Sequence, residues 1–407
     1  MTLGAVPKEV RGGPALEVLR VFLGLGLRAF GGPVAHLGYL REEFVVRRRW
    51  LAEPSYAELI ALCQFLPGPA SSQVGFAIGL HRAGYAGALC AWLGFTLPSA
   101  LLMTAFAFGA TSLNSAAQLG LLHGLKLVAV VIVAQAVFGM ARTLCPDVAR
   151  AGVALLALGV SLQLPGLAGQ LLVMTGGALL GVLLCRRAAS GIAEAPAAAV
   201  PVSRRAGTVA LALFLGLLFA LPWLQRHLHS APLGLFSAFY RSGALVFGGG
   251  HVVLPLLRAA FVPPGWVSDG DFLAGYGAAQ ALPGPLFTFA AYLGALARPW
   301  AHPLAGAALG LLGIFLPGML ILVAALPLWR QLSRRTLARA AVLGVNAAVV
   351  GLLAAALYEP VWVSAVHSGA DLALVLAAFA LLTLARWPPW TVVLLTACAG
   401  AAFARPG

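Results

Sequence analysis

Apolar stretches long enough to cross a lipid bilayer recur along the whole sequence, and they restrict the chain to folds that satisfy their own backbone inside a membrane. The clearest are residues 84–109, 117–141, 207–225, 303–328 and 340–358; about 17–25 apolar residues span the hydrocarbon as a helix. Only helices and closed barrels pair every amide in lipid, and the alternating pattern of a barrel is absent. The chain is therefore read as an all-α polytopic membrane protein. Its charge agrees: 9% of residues are charged, against roughly a quarter in a soluble domain. The N-terminal segment does not read as a secretory leader, because Glu17, Arg20 and Arg28 interrupt its apolar run, and it is expected to stay as the first helix.

The net charge of +14 is carried almost wholly by arginine, with Lys8 and Lys126 the two lysines. Positive-inside anchoring of loops accounts for most of it. The basic residues sit in short connections and form no sustained polar face, which argues against nucleic-acid binding. Cys63, Cys90, Cys145, Cys185 and Cys398 lack CxxC spacing, so neither a disulfide framework nor a metal site is expected. Neither GxSxG, HExxH nor a Walker motif is present, so no enzymatic centre, ATP site or cofactor is expected either.

The sequence repeats itself. An offset of 217 pairs FGG at Phe30 with FGG at Phe247, Arg41 with Arg258 and Phe44 with Phe261; after one residue is lost, Trp50 pairs with Trp266 and QFLPGP at Gln64 with QALPGP at Gln280. Farther on, FTLP at Phe95 faces FLP at Phe315, and Gly124-Leu-Lys126 faces Gly344-Val-Asn346. This order predicts a first transmembrane repeat over 14–187, a flexible Ala/Pro-rich loop over 188–206, a connecting transmembrane helix over 207–228 and a second repeat over 231–405. With six crossings per repeat the chain has about 13 spans, and the unpaired helix inverts the second repeat relative to the first. The basic clusters agree only in part, since Arg41 and Arg47 to Arg49 then fall on the outer side.

Each PGP lies inside an apolar segment, where proline removes an amide and glycine permits turns other residues resist. The helix is expected to break at Pro67-Gly68-Pro69 and Pro283-Gly284-Pro285, and to restart with free amides over Ala70–Gln73 and Leu286–Phe289. Such a helix start is an anion site, to which Ser71, Ser72 and Thr288 add hydroxyls, with Gln64 and Gln280 nearby in sequence. A proline kink with hydroxyls bonded to their own helix is the competing reading for either repeat alone. Gly31, Gly32 and Gly248 to Gly250 form a second pair of hinges. Arg41 and Arg258 follow them, and arginine's planar fork suits tetrahedral oxyanions; Arg41 reads equally as an interfacial anchor. Lys126 stands deep in a span, where an ionisable residue is a functional candidate, and its partner Asn346 is polar but uncharged. Glu58, His36 and His251 are candidates for proton coupling, although a bond to a freed backbone carbonyl explains each histidine as well.

FGGPVAHL with FGGGHVVLP, the paired LPGP segments and GVNAAVVGLL at Gly344 together resemble the chromate ion transporter family in its long, two-domain form. The resemblance implies a multi-pass carrier of the bacterial inner membrane. It would export chromate, a tetrahedral sulfate analogue, at the expense of the proton gradient and so confer chromate resistance; a homodimer is left open. The family's motifs carry over to Gly31, Gly32, Gly248 to Gly250, Pro67 to Pro69 and Pro283 to Pro285. The first repeat departs in having Pro33 where the second has Gly250, and Lys126 where the second has Asn346, so the repeats are not expected to act identically. A passive anion channel or a sulfate-type carrier on the same scaffold stays open.

Overall fold

A computed structural model of the chain describes residues 14–110, 116–190, 202–247, 250–297, 302–329, 331 and 335–403. Every regular element among the described residues is helical. The first half runs α1 (Ala15–Gly26), α2 (Gly32–Arg41), α3 (Glu53–Phe65), α4 (Ala70–Ala110), α5 (Ala116–Leu144), α6 (Val148–Gln163), α7 (Leu167–Leu184) and the short α8 (Arg186–Ser190). After α9 (Arg204–Leu228), the second half runs α10 (Ala231–Ala244), α11 (Val253–Phe261), α12 (Asp269–Ala281), α13 (Phe289–Leu296), α14 (Pro303–Ala325), α15 (Thr336–Ala356), α16 (Gly369–Thr383) and α17 (Pro389–Phe403). Most of the expected loop, residues 191–201, lies outside the described residues.

The five apolar stretches fall within helices, and five helices are long and apolar enough to cross a bilayer: Ala70–Gly109, Leu119–Leu144, Arg204–Leu228, Pro303–Leu328 and Thr336–Glu359. Several other apolar helices have only 10–17 residues. At 1.5 Å per residue most of these fall well short of a hydrocarbon core of about 30 Å, so much of the path through the apolar layer is in partial lengths.

α4 is itself two rods. Its backbone leaves the helical region at Ala83 (φ −141°) and Gly84 (φ +62°), and the chain doubles back so that Gly79 lies backbone-to-backbone against Gly87. α13 and α14 make the same close approach through Gly294 and Gly306. The two halves also share an aromatic stack. Phe22 and Phe44 lie 4.8 Å apart, and Phe44 and Trp50 also 4.8 Å; Phe239 and Phe261 lie 4.5 Å apart, and Phe261 and Trp266 5.4 Å. Rings of this size bury much apolar area and fix α1 on the segment that follows α2, and α10 on α11.

The halves then exchange partners. α5 packs against α17, where Gly124 and Gly400 meet at backbone contact, and α15 packs against α7, where Gly344 meets Gly177 and Gly181. Small residues let helices approach this closely where lipid supplies no hydrophobic force to hold them.

Candidate oxyanion site at the paired helix breaks

Both LPGP segments break the helix. α3 ends at Phe65, Leu66 is extended (ψ 154°), Gly68 takes φ +121°, and α4 restarts at Ala70. α12 ends at Ala281, Leu282 is extended (ψ 147°), Gly284 takes φ +104°, and a tight turn over Leu286–Thr288 leads into α13. Glycine alone holds such angles without strain.

Each break is held by the other half of the chain. The Gly68 amide donates to the Val246 carbonyl at 2.7 Å, and the Gly284 amide donates to the Ala29 carbonyl at 2.9 Å. Ala29 and Val246 are equivalent under the offset of 217, so the two bonds are reciprocal. Each break also rests on the proline-containing rod of the opposite half: a Cβ at Gly68 would lie 2.9 Å from Gly318 Cα, just past Pro317, and one at Gly284 would lie 2.7 Å from Ser99 Oγ, just past Pro98. Gln73 pins the first contact by donating to both the Pro67 and Gly318 carbonyls.

His36 links the two breaks. Its Nε2 donates to the Ala29 carbonyl at 2.9 Å, the same oxygen that accepts from Gly284. That role leaves Nδ1 an acceptor in the neutral ring, 3.5 Å from the Ser71 hydroxyl. Ser71, Ser72, Gln73, Ser99, Thr288 and His36 are all buried. Thr288 Oγ1 donates to the Pro285 carbonyl, whereas Ser72 Oγ and the Gln73 amide oxygen are buried without a hydrogen-bond partner among the described residues. Buried polar atoms are normally satisfied, which sets Ser72 Oγ apart from the bonded hydroxyl of Thr288. Not all of the amides expected to be free at the restarts are so: the Gln73 amide donates to the Pro69 carbonyl at 2.9 Å and the Thr288 amide to the Pro285 carbonyl at 3.0 Å, because the first turn closes on the proline that opens it.

The other expected residues are placed differently. Arg41 donates to Glu53 through Nε (2.7 Å) and Nη2 (2.9 Å) on the exterior, and Arg258 donates to Asp269 at 2.8 Å. Glu53 and Asp269 are themselves equivalent positions. Each arginine thus ties the end of one helix to the start of the next, and Arg258 is not the isolated cation that its apolar neighbours in sequence suggest. Lys126 is half-buried on α5, its ammonium against Gly270 in the first turn of α12. Asn346 has the same half-burial on α15, its amide oxygen unpartnered. Gln64 is exposed and Gln280 is half-buried. Glu58 is buried within α3. His251 bonds through Nδ1 to the Tyr276 hydroxyl at 2.9 Å.

Gly31 (φ +98°) and Gly32 (φ +77°) both take positive φ where α2 begins. Gly248 and Gly249 lie outside the described residues. Gly250 faces Pro33, whose ring would stand 3.1 Å from a Cβ there, which explains why the repeats differ at this pair. Gln73, Ser99, Glu53 and Asp269 were not singled out from sequence. For Glu53 and Asp269 a signal existed, an acid following each paired arginine at nearly constant spacing.

Two cavities lie away from the breaks. One of about 230 Å³ is lined by Arg241, Gln225 and Trp266, and one of about 130 Å³ by Arg258 and Glu359; Gln170 borders both.

The chromate transporter family model matches residues 16–182 and 233–401. A chromate transport protein of Pseudomonas aeruginosa is 30% identical over 82% of this chain and 78% of its own length. A probable chromate transport protein of Synechococcus elongatus is 28% identical over 84% and 83%, and a chromate transport protein of Cupriavidus metallidurans 26% identical over 84% and 81%. No solved structure matches the chain significantly.

Proposed function

Because the chain belongs to the chromate transporter family, we propose that it is a secondary carrier exporting chromate, or a like tetrahedral oxyanion, across the inner membrane in exchange for protons. The observation that supports this reading is the reciprocal pair of helix breaks, each hydrogen-bonded to the opposite half and each followed by buried hydroxyls. Ser71 and Ser72 with the adjoining amides bind the anion, and Thr288, whose hydroxyl donates to the Pro285 carbonyl, holds the equivalent turn of the second break. Transport proteins, not enzymes, make up the family.

His36 is the coupling group in this scheme. When a dianion arrives beside Ser71, a proton on Nδ1 reverses that hydrogen bond and neutralises part of the new charge, while Nε2 keeps its hold on Ala29. Burial of the whole set corresponds to an occluded state, and substrate enters when the halves rock about the paired breaks. In sealed vesicles loaded with chromate, an imposed proton gradient should accelerate flux by about tenfold or more over the same vesicles without one, the size of a modest coupling free energy. Gradient-independent flux through functional protein would select the channel reading instead.

The two repeats are taken to be inverted, 14–187 against 231–405, with α9 as the added crossing. The reciprocity of the break contacts fits a two-fold relation with either axis, and the unpaired α9 is what favours the inverted one. Single cysteines at positions 45 and 265 in a cysteine-free background should react with an impermeant reagent from opposite faces. Reaction from the same face would make the repeats parallel.

A further inference from the structure

The larger cavity differs from its surroundings in the first half in a specific way. Around Trp50 the first half neutralises its cations internally: Glu17 pairs with Arg82 at 3.0 Å, Glu43 pairs with Arg47 at 2.6 Å and Arg48 at 2.7 Å, and the Arg82 guanidinium lies 5.0 Å over the Trp50 ring. Around the equivalent Trp266 both acids are missing. The offset of 217 puts Gly234 where Glu17 stands and Ala260 where Glu43 stands. The loop carrying Arg47 and Arg48 reads Pro263-Pro264-Gly265.

A new cation occupies the space. Arg241, where the first half has Gly24, is half-buried on α10 and lines the cavity of about 230 Å³ together with Ala260, Trp266 and Gln225. Its one hydrogen bond among the described residues is long, from Nε to the Ser237 carbonyl of its own helix at 3.4 Å, and no carboxylate lies within ion-pair distance of it among those residues. Gln170, which is 6% exposed, borders the cavity with its amide oxygen unpartnered while its nitrogen donates to the Pro255 carbonyl.

A half-buried guanidinium without a counter-charge is costly, and here it faces a space several times the share of one liquid water, about 30 Å³. We infer that the Arg241 cavity binds a tetrahedral oxyanion, standing where the first half keeps its carboxylates. The planar fork of Arg241 supplies parallel donors, and the free Gln170 oxygen accepts from a hydroxyl or ammonium carried on the ligand or from a bridging water. The chemistry fits a free dianion of the transported class and equally the phosphate of a lipid headgroup. The free-anion case rests on the oxyanion-carrier reading; the lipid case does not.

The test uses the full chain purified in neutral detergent, probed with radiolabelled sulfate by equilibrium dialysis, and in nanodiscs containing phosphatidylglycerol, probed for retained lipid by native mass spectrometry. Two variants are compared. Arg241→Gln removes the charge, and Ala260→Glu restores the acid of the first half so that Arg241 is satisfied from within. If the occupant is a free oxyanion, both weaken one class of sulfate site at least tenfold; if it is a lipid phosphate, both release tightly held phosphatidylglycerol and leave sulfate binding alone. Ala260→Glu keeps the test decisive should Arg241→Gln fold poorly, because it adds a counter-charge to an existing cavity. Unchanged sulfate and lipid binding in folded Ala260→Glu overturns the inference. Chromate flux of the wild-type protein, measured in parallel, reports on the carrier reading by itself: absent flux with lipid loss in the variants would refute that reading and leave this site standing.

Discussion

Gly68→Val and Gly284→Val should each reduce chromate flux by at least a hundredfold while the protein still inserts in the membrane. Both positions hold φ values above +100°, where a β-branched residue is strained by several kcal/mol. Space is also lacking: the new Cβ would press on Gly318 Cα in one case and on Ser99 Oγ in the other. Relief requires the break to move away from the opposite half, which removes the Gly68–Val246 or Gly284–Ala29 hydrogen bond and misaims the following amides. The check is flux per inserted molecule, with insertion measured by protease protection. Wild-type flux from well-inserted Gly68→Val would mean that the break is not the transport site. Gly84→Ala is the matched control. It also sits at positive φ, but nothing stands within 4 Å of its Cβ position, so a smaller loss is expected.

The second large effect concerns assembly of the halves. Gly344→Leu should eliminate the folded protein, and Gly216→Leu should leave it intact. A Cβ at Gly344 would run into the Gly177 carbonyl and the Gly181 backbone, whereas nothing lies near one at Gly216 on α9. Overpacking a core by a few methylenes costs about 1–3 kcal/mol, and a collision with main chain cannot be relieved by turning a side chain. Forcing α15 off α7 therefore forfeits the interface. A monodisperse peak for Gly216→Leu and aggregate for Gly344→Leu in fluorescence-detected size exclusion is the expected pattern. A normal peak from Gly344→Leu would show that the seam tolerates more separation than its geometry allows.

The two results differ in how visible their causes are in sequence. Long apolar runs and paired PGP breaks are legible because periodicity and proline act locally: a span needs its own length of apolar residues, and a proline removes its own amide. The reversal at Ala83–Gly84 is less so, since one glycine among many carries it. Arg258 reads as a lone cation, and the partner of Arg41 is equally hidden, because a carboxylate 11 or 12 residues away becomes a neighbour only when the intervening chain folds back. Gln73 and Ser99 are invisible for a stronger reason. Their contacts, with Gly318 and Gly284, cross from one half to the other, and no local pattern encodes the partner. The Pro33 and Gly250 difference was noticed as an asymmetry, but its cause, that the two residues face each other, required coordinates.

The crossed hydrogen bonds at the breaks also set an order of events during synthesis. Gly68 is translated early, and the carbonyl that takes its amide belongs to Val246, about 180 residues later, which at 5–20 residues per second is a delay of roughly 10–40 s. Over that interval the first break is already among apolar helices, with an amide that its own half does not satisfy. The nascent first half must therefore be sheltered by water or by the insertion machinery until α10 arrives. Ala29 waits longer still for Gly284. The breaks thus close after the second half begins to appear but before its last helices complete the α7–α15 and α5–α17 seams, and a ribosome that stalls between the halves leaves behind a membrane-embedded intermediate with the Gly68 amide uncovered.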